Sequence, residues 1–150
     1  ITSADELYQA SVKAFRNSDL AILSAAVADF KTAKVAGNKI KKTEGTKSIE
    51  LIPTKDTLAE LGKLKKKGQI LVGFALETNN ETENAKIKIK KKNLDLIVLN
   101  SLNDSGAGFK GDTNKVTLID KNNKTTKFEL KSKTEVAADI VNHLINNFKF

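Results

Sequence analysis

Two lysine-rich segments stand where the chain could meet an anionic ligand. Residues 39–42 read Lys-Ile-Lys-Lys, and Lys88 lies four residues before Lys92. On a helix these last two lysines share one face, where like charges repel unless an anion bridges them. Because an ammonium group is a good point charge for phosphate, the segments predict a site for a phosphorylated ligand. A solvated charge run, or an exposed strand edge over 86–90, is the alternative.

A carboxylate and an aromatic ring follow apolar runs that are typical of buried strands. Asp29 comes two residues after one such run and could take a ribose hydroxyl or a metal ion. A helix cap or a loop turn is its plainer interpretation. Phe74 follows Gly73 near the end of another run and could stack on a base. Core packing is the commoner fate of such a phenylalanine.

Several chemistries are excluded by residue types. The 150 residues contain no cysteine and one histidine, His143, which excludes disulfides, zinc–thiolate sites and cysteine nucleophiles. The segment 106–108 reads Gly-Ala-Gly and is not a dinucleotide fingerprint, because it lacks the third glycine and a strand-turn-helix setting. We find no cluster of residues typical of a metal site built from protein ligands.

The composition indicates a single domain with a basic surface. Lysine and arginine number 26 against 18 acids, a net charge of +8, and 39% of the residues are hydrophobic. No apolar run approaches the ~18 residues of a membrane span. Arg16 is the only arginine and aromatics make up 5%, which disfavours nucleic-acid binding, where arginine and stacking rings dominate. Neither nucleic acid nor membrane is therefore an expected partner.

The apolar runs alternate with amphipathic segments. Helices are predicted over 2–17, 57–67, 80–92 and 134–148, and buried strands over 21–27, 70–76 and 94–99. This alternation predicts an α/β fold, a Rossmann-like, open, mainly parallel sheet flanked by helices. The runs 115–120 and 125–130 flank Asn122-Asn123 and predict a C-terminal antiparallel hairpin.

The segments between these elements are predicted loops, with one further strand. Residues 48–52 read as a strand that ends at Pro53, and residues 31–48 and 100–114 read as loops. Ligands of open α/β sheets bind beyond the carboxyl ends of the strands. That rule selects four places for a site, namely 25–42, 55–58, 73–80 and 100–114.

Motifs in these places resemble the phosphopantothenate–cysteine ligase family, the synthetase part of the bacterial bifunctional coenzyme A biosynthesis protein. They follow the family's order from about residue 2 to 145. The motifs are Ala-Ala-Val-Ala-Asp-Phe at 25–30, Lys-Ile-Lys-Lys at 39–42, Val-Gly-Phe-Ala-Leu-Glu-Thr-Asn at 72–79, Lys-Ile-Lys-Lys-Lys-Asn-Leu-Asp at 88–95, and Gly-Phe and Asp-Thr-Asn at 108–109 and 112–114.

The resemblance implies a reaction. The family activates the carboxylate of 4′-phosphopantothenate with CTP, forming an acyl-cytidylate and releasing pyrophosphate. The amine of cysteine then displaces CMP and gives phosphopantothenoylcysteine. The resemblance also implies a Mg²⁺ cofactor, a homodimer and a cytoplasmic location. Lysines suit this chemistry because fixed cations stabilise the charge that gathers on leaving pyrophosphate.

The family's site residues carry over by position. The resemblance assigns the backbone of Ser24 and Ala25 to the cytosine, Asp29 to the ribose or to the surroundings of the metal, and Phe74 to the base pocket.

Further positions match phosphate-binding residues. Lys39 matches a mobile-loop lysine that contacts the triphosphate and is the catalytic candidate, and Lys88 and Lys92 match two more nucleotide-binding lysines. A nucleotide-contacting helix start matches Lys55, Asp56, Thr57 and Leu58. This helix start departs from the family, which has Asn-Pro where this chain has Thr-Lys.

The family opens with a glycine-rich strand and turn that have no counterpart here. A later asparagine that binds the acyl intermediate in the family is also unmatched. Together with the absence of methionine, this predicts one ligase domain, 1–150, truncated at its N-terminus. The alternatives are a non-catalytic nucleotide-binding α/β module and, from charge alone, a basic nucleic-acid-binding domain.

Overall fold

The computed structural model describes residues 1–40, 48–101 and 111–149. Helices and strands alternate along most of this part of the chain. Its elements are α1 (Ala4–Phe15), β1 (Leu20–Leu23), β2 (Phe30–Thr32), β3 (Leu51–Pro53), α2 (Thr57–Leu64), β4 (Ile70–Glu77), α3 (Glu81–Lys91), β5 (Leu96–Ser101), β6 (Thr113–Asn114), β7 (Val116–Asp120), β8 (Thr125–Lys127), β9 (Lys131–Ser132) and α4 (Lys133–Asn147).

The central sheet has five strands in the order β1-β4-β5-β7-β8. β1, β4 and β5 are mutually parallel, and β7 and β8 add antiparallel strands at one side. The hairpin turns at Asn123, whose φ of 65° is the left-handed conformation that asparagine tolerates well. The predicted α/β architecture and the C-terminal hairpin are confirmed.

Helices cover both faces of this sheet. Because side chains alternate along a strand, Leu71 and Ile97 pack with α1, α2 and α3, whereas Val72 and Val98 pack with α4. The strands β4 and β5 are therefore buried on both faces, as their continuous apolar runs predict.

Serine capping boxes fix the starts of the first and last helices. The Ser3 hydroxyl accepts from the Glu6 amide and the Glu6 carboxylate accepts from the Ser3 amide; Ser132 and Glu135 repeat the arrangement in α4. Each box satisfies amides that the helix itself leaves unpaired. In the described ranges, no helix is both long enough and apolar enough to cross a membrane.

The prediction of a buried strand over 21–27 is wrong at its carboxyl end. β1 stops at Leu23 and pairs only with β4 among the described residues, so it is a half-buried edge strand. Its alanine-rich continuation, residues 24–29, has no regular structure and is exposed. Short alanine side chains read as apolar in the sequence but give an edge strand little surface to bury.

A small ribbon replaces part of the loop predicted over 31–48. β2 pairs antiparallel with β3, and Phe30 lies opposite Pro53. The strand predicted over 48–52 is therefore shifted to 51–53 and includes the proline. Proline lacks a backbone N–H and is accepted at an edge, and this ribbon has only edges. The strand predicted over 125–130 is shorter than expected, because β8 ends at Lys127 and residues 128–130 belong to no strand. A second ribbon pairs β6 with β9.

Two glycines bring α2 close to its neighbours. A Cβ at Gly73 would lie 2.6 Å from a Leu58 methyl, so this position in β4 seats the first turn of α2. A Cβ at Gly62 would lie 1.9 Å from the backbone oxygen of Lys92. Gly62 thus allows α2 to rest on the end of α3, and Asn93 secures the contact by donating to the Gly62 carbonyl at 2.8 Å.

Candidate functional site: a cavity beside the parallel edge strand

A cavity of about 910 Å³ lies beside β1 and beyond its carboxyl end. Its walls are α1, the segment that follows β1, the start of α2 and Phe74 of β4. Ligand sites of small molecules fall in the same range of volumes. The position is the one that open α/β sheets offer to ligands.

Most of the predicted nucleotide-binding residues meet in this wall. Eight of them line the cavity, and they come from four separate stretches of the chain: Ser24, Ala25, Asp29, Asp56, Thr57, Leu58, Phe74 and Lys92. Sequence positions as far apart as 24 and 92 are brought together by the β1–β4 pairing and by the seat of α2 on α3. The structure thus assembles most of the predicted site residues around one cavity.

Three predicted lysines stand outside the cavity wall. Lys39 is exposed in the segment that follows β2. The ammonium of Lys55 lies 4.7 Å from the centre of the Tyr8 ring, a cation–π distance. Lys88 lies on α3 and pairs with Glu77. The catalytic assignment of Lys39 remains a prediction.

Lys88 on α3 and Lys92 at its C-cap each pair with a carboxylate of the protein. Lys88 Nζ lies 2.5 Å from Glu77 Oε1, and Lys92 Nζ lies 2.8 Å from Asp56 Oδ2. The helix is confirmed and the strand-edge alternative for 86–90 is wrong. Each ammonium is neutralised by a carboxylate from a different element, so the repulsion between the two lysines is relieved within the protein.

Asp56 has two roles at the cavity wall. Its Oδ1 accepts a hydrogen bond from the Ala59 amide at 3.0 Å and caps α2, while Oδ2 pairs with Lys92. Burial raises the pKa of this carboxyl, but the hydrogen bonds from Lys92 and from the Ala59 amide outweigh burial and lower the pKa below its ordinary value. Asp56 is therefore ionised at neutral pH and carries charge into the wall.

The hydroxyl of Thr57 is buried without a hydrogen-bond partner in the described part of the chain. Thr57 is the first residue of α2 and is 6% exposed. A buried unpaired hydroxyl costs about 1–3 kcal/mol. Orphaned polar atoms of this kind are rare in folded proteins and mark places where the fold gives up stability.

The cavity wall differs in charge from the molecule as a whole. Among the described residues its charged members are Asp29, Asp56 and Lys92, although the chain carries a net charge of +8. No group of three or more histidine, cysteine or acidic residues within the described ranges could hold a metal ion by itself.

Sequence reasoning missed two parts of this region. One is the α1 wall, where Leu7, Ser11 and Ala14 face the cavity. The other is Glu77, which also accepts from Asn84 Nδ2 at 3.2 Å. Glu77 could have been found, because it ends a buried strand eleven residues before Lys88. The predicted features at 41–42, 106–108 and 109 lie outside the described residues.

The fold and the cavity define an open α/β protein with a ligand site beside its parallel strands. Residues 1–148 match the family model of the DNA/pantothenate metabolism flavoprotein C-terminal domain. The chain belongs to this family. The resemblance to the ligase part of the bifunctional coenzyme A protein is therefore confirmed.

Two relatives illustrate the range of names within the family. The chain is 58% identical over 145 residues to a "Cysteine/Cysteine sulfinic acid decarboxylase" from an unknown prokaryotic organism, covering 97% of this chain and 40% of that protein. It is 42% identical over 144 residues to the "Coenzyme A biosynthesis bifunctional protein CoaBC" of Bacillus subtilis, covering 96% and 35%. The chain thus spans well under half of each relative.

Solved structures share the fold. The crystal structure of the C-terminal domain of CoaBC superposes with a TM-score of 0.75 at 35% identity, covering 96% of this chain and 64% of that one. A Cab2 mutant in complex with phosphopantothenate-cysteine gives a TM-score of 0.68 at 19% identity, covering 95% and 51%. At that lower identity the likeness supports the fold alone.

Proposed function

We propose that this chain supplies the nucleotide-binding part of a phosphopantothenate–cysteine ligase in coenzyme A biosynthesis. The observation that carries the proposal is the convergence of eight family-matched residues on one cavity of about 910 Å³. The 35% identity to the CoaBC C-terminal domain supports it. The substrates are 4′-phosphopantothenate, cysteine and CTP.

The proposed reaction has two steps. The carboxylate of 4′-phosphopantothenate attacks the α-phosphorus of CTP and pyrophosphate leaves, which produces an acyl-cytidylate. The cysteine amine then attacks the acyl carbon and CMP leaves. Charge develops on the leaving pyrophosphate and then on CMP, and fixed cations lower the barrier when they lie beside that charge. Lys92 lies in the wall, and Lys39 is the candidate that would reach the triphosphate from its exposed segment.

The charge of the wall supports the proposal that the nucleotide arrives with Mg²⁺. Two carboxylates and one ammonium line the cavity, so the wall alone does not neutralise a triphosphate. Magnesium is bound mainly by substrate phosphates and one or two protein carboxylates. Asp29 fits this role, since its carboxylate has no hydrogen bond or ion pair within the described residues. The metal would polarise the phosphate oxygens.

Product formation tests the proposal. The chain, and the full gene product wherever the gene extends beyond it, is incubated with the three substrates and Mg²⁺ while pyrophosphate and phosphopantothenoylcysteine are measured. We expect release of pyrophosphate to need CTP, and Lys39→Gln to lower it by about a hundredfold. The matched control is Lys34→Gln in the same exposed segment. Equal activity of the two variants would remove Lys39 from the mechanism.

A second candidate is a nucleotide-binding domain without ligase activity. The 58% identity to a protein named as a decarboxylase favours it, because that name describes a different reaction. In this case the cavity would bind a nucleotide while the incubation above yields no phosphopantothenoylcysteine. Release of CO₂ from cysteine or cysteine sulfinic acid by the full gene product would support this candidate.

We further propose that the chain forms a homodimer in the cytoplasm through the ribbon of β2 and β3. Phe30 is 59% exposed and Leu51 is 56% exposed on this ribbon, and such exposed apolar patches mark interaction sites. Light scattering should give twice the 16.4 kDa of one chain. Leu51→Lys should halve the mass, whereas Ile145→Lys on the exposed side of α4 should not.

A further inference from the structure

Lys92 enters the cavity wall already bound to a carboxylate. Its ammonium lies 2.8 Å from Asp56 Oδ2, and both residues line the cavity. The backbone contact between Gly62 and Lys92 holds the end of α3 against α2. The packing of two helices therefore brings the two side chains of the pair together.

An anionic ligand therefore meets a lysine whose charge is already neutralised. Lys92 is the cation of the wall among the described residues, and Asp29 and Asp56 are its anions. A phosphate group can bind the Lys92 ammonium at full strength only if Asp56 releases it. Two anions that compete for one ammonium weaken each other's binding, as linkage requires.

The Asp56 carboxylate can keep its position when its ion pair with Lys92 breaks. Its Oδ1 stays on the Ala59 amide as the α2 cap, which keeps the carboxylate in place. The Asp56 side chain is half exposed, so water can solvate Oδ2 once the ammonium leaves. Exposed ion pairs are weak, and phosphate oxygens can compete with this one.

The second pair on α3 lacks these properties. Glu77 is 14% exposed and also accepts a hydrogen bond from Asn84. Lys88 does not belong to the cavity wall. Separating this pair would leave a largely buried carboxylate with poor access to water, which is costly. Lys88 therefore stays with Glu77, and Lys92 is the lysine that can change partner.

We infer that Lys92 exchanges the Asp56 carboxylate for an anionic oxygen of the nucleotide when the cavity fills, so that Asp56 is a built-in competitor that weakens nucleotide binding. The inference rests on the proposed function in taking a nucleoside triphosphate as the ligand. It assigns Asp56 an effect opposite to that of an ordinary binding residue, because removing its charge strengthens binding.

A double-mutant cycle tests the exchange. Asp56→Asn keeps an amide oxygen that can cap α2 and removes the charge. Calorimetry with CTP and Mg²⁺ should show about two- to fivefold tighter binding for Asp56→Asn than for the wild type. Lys92→Gln should bind more weakly. In the Lys92→Gln background, Asp56→Asn should change the affinity by less than about 1.5-fold, because Asp56 acts through Lys92.

Glu60→Gln is the matched control. It removes one negative charge from the same helix, four residues further on, where Glu60 pairs with Lys63 outside the cavity wall. We expect less than about a 1.5-fold change in CTP affinity. Unchanged or weaker binding by Asp56→Asn would overturn the inference. Equal tightening by Asp56→Asn in the wild type and in Lys92→Gln would also overturn it. Asp56 would then weaken CTP binding through the long-range repulsion of its charge and not through Lys92.

Inorganic pyrophosphate as a second titrant separates this inference from the proposed function. If pyrophosphate reproduces the cycle while CTP shows no preference over ATP, the exchange stands and the CTP assignment fails. If CTP binds preferentially but Asp56→Asn does not change the affinity in either Lys92 background, the exchange fails and the proposed function stands. If neither titrant binds the wild-type chain, both fail.

Discussion

Asp95, at the amino end of β5, is 4% exposed and is surrounded by donors. Its Oδ2 accepts from the Leu71 amide at 2.9 Å and from Lys65 Nζ at 2.8 Å, and its Oδ1 accepts from Lys121 Nζ at 3.1 Å. Toward the carboxyl ends of the strands, the cavity wall instead holds the unpartnered hydroxyl of Thr57 among the described residues.

The two ends of the sheet thus use the same residue types for different purposes. At the amino end, two lysines and one aspartate satisfy each other and stabilise the fold. At the cavity, Lys92 is held by the half-exposed Asp56. Buried polar groups that are fully satisfied rigidify a structure, whereas groups left incomplete are available to a ligand. The comparison predicts that mutations at the amino end change stability and that mutations at the cavity change binding.

The largest expected effect is at Asp95. Asp95→Asn leaves Lys65, whose side chain is 11% exposed, without its carboxylate, and breaking a buried pair in this way costs about 3 kcal/mol. Urea unfolding measures the loss. The control is Asp139→Asn, which breaks the more exposed pair with Lys131 and should cost less than about 1 kcal/mol. Equal losses of unfolding free energy in the two variants would show that the buried ion pairs of Asp95 stabilise the fold no more than an exposed pair does.

The same carboxyl sets the response to acid. Burial raises the pKa of Asp95, but the hydrogen bonds from Lys65, Leu71 and Lys121 outweigh burial and lower the pKa. A carboxyl with a lowered pKa in the folded state stabilises above its unfolded pKa, and that stability is lost as pH falls through the folded value. The stability difference between wild type and Asp95→Asn should therefore narrow below about pH 4. A constant difference down to pH 2 would contradict this cause.

Gly62 affects both ends of the sheet, because it allows α2 to pack closely against the end of α3. Gly62→Ala places a Cβ against the backbone oxygen of Lys92, which forces the helices apart and costs about 2 kcal/mol. We also expect weaker CTP binding, since Lys92 and Asp56 move relative to each other. Gly37→Ala, whose Cβ would meet nothing within 4 Å, is the control for urea unfolding. Unchanged stability of Gly62→Ala would mean that the helix contact is loose.

The smallest expected effects are at two threonines, where the same substitution should change stability in opposite directions. Thr57→Val removes the unpartnered hydroxyl and should stabilise the protein by about 1 kcal/mol. Thr54→Val removes a hydroxyl that donates to the Ala28 carbonyl at 2.6 Å and should destabilise it by about 1 kcal/mol. Thermal unfolding gives both signs. Destabilisation by Thr57→Val would show that this hydroxyl has a partner.

The sequence predicted the sheet better than it predicted the contacts at its edge. The continuous apolar runs 70–76 and 94–99 identify strands buried on both faces, and the structure confirms both. The pairing of Phe30 with Pro53 joins residues 23 positions apart, and no local period reports such a contact. Family motifs placed Asp56 and Lys92 in one site, but neither spacing nor motif indicates that they bind each other.

Calorimetric titration of the wild type, Lys92→Gln and Lys65→Gln with CTP and then ATP, each with Mg²⁺, tests the central claim most directly. The account predicts saturable binding that prefers CTP, about tenfold weaker binding by Lys92→Gln, and wild-type affinity for Lys65→Gln, whose defect is in stability. Equal CTP binding by Lys92→Gln and the wild type, or no binding of either nucleotide by the wild-type chain, would contradict the assignment of this cavity as the nucleotide site.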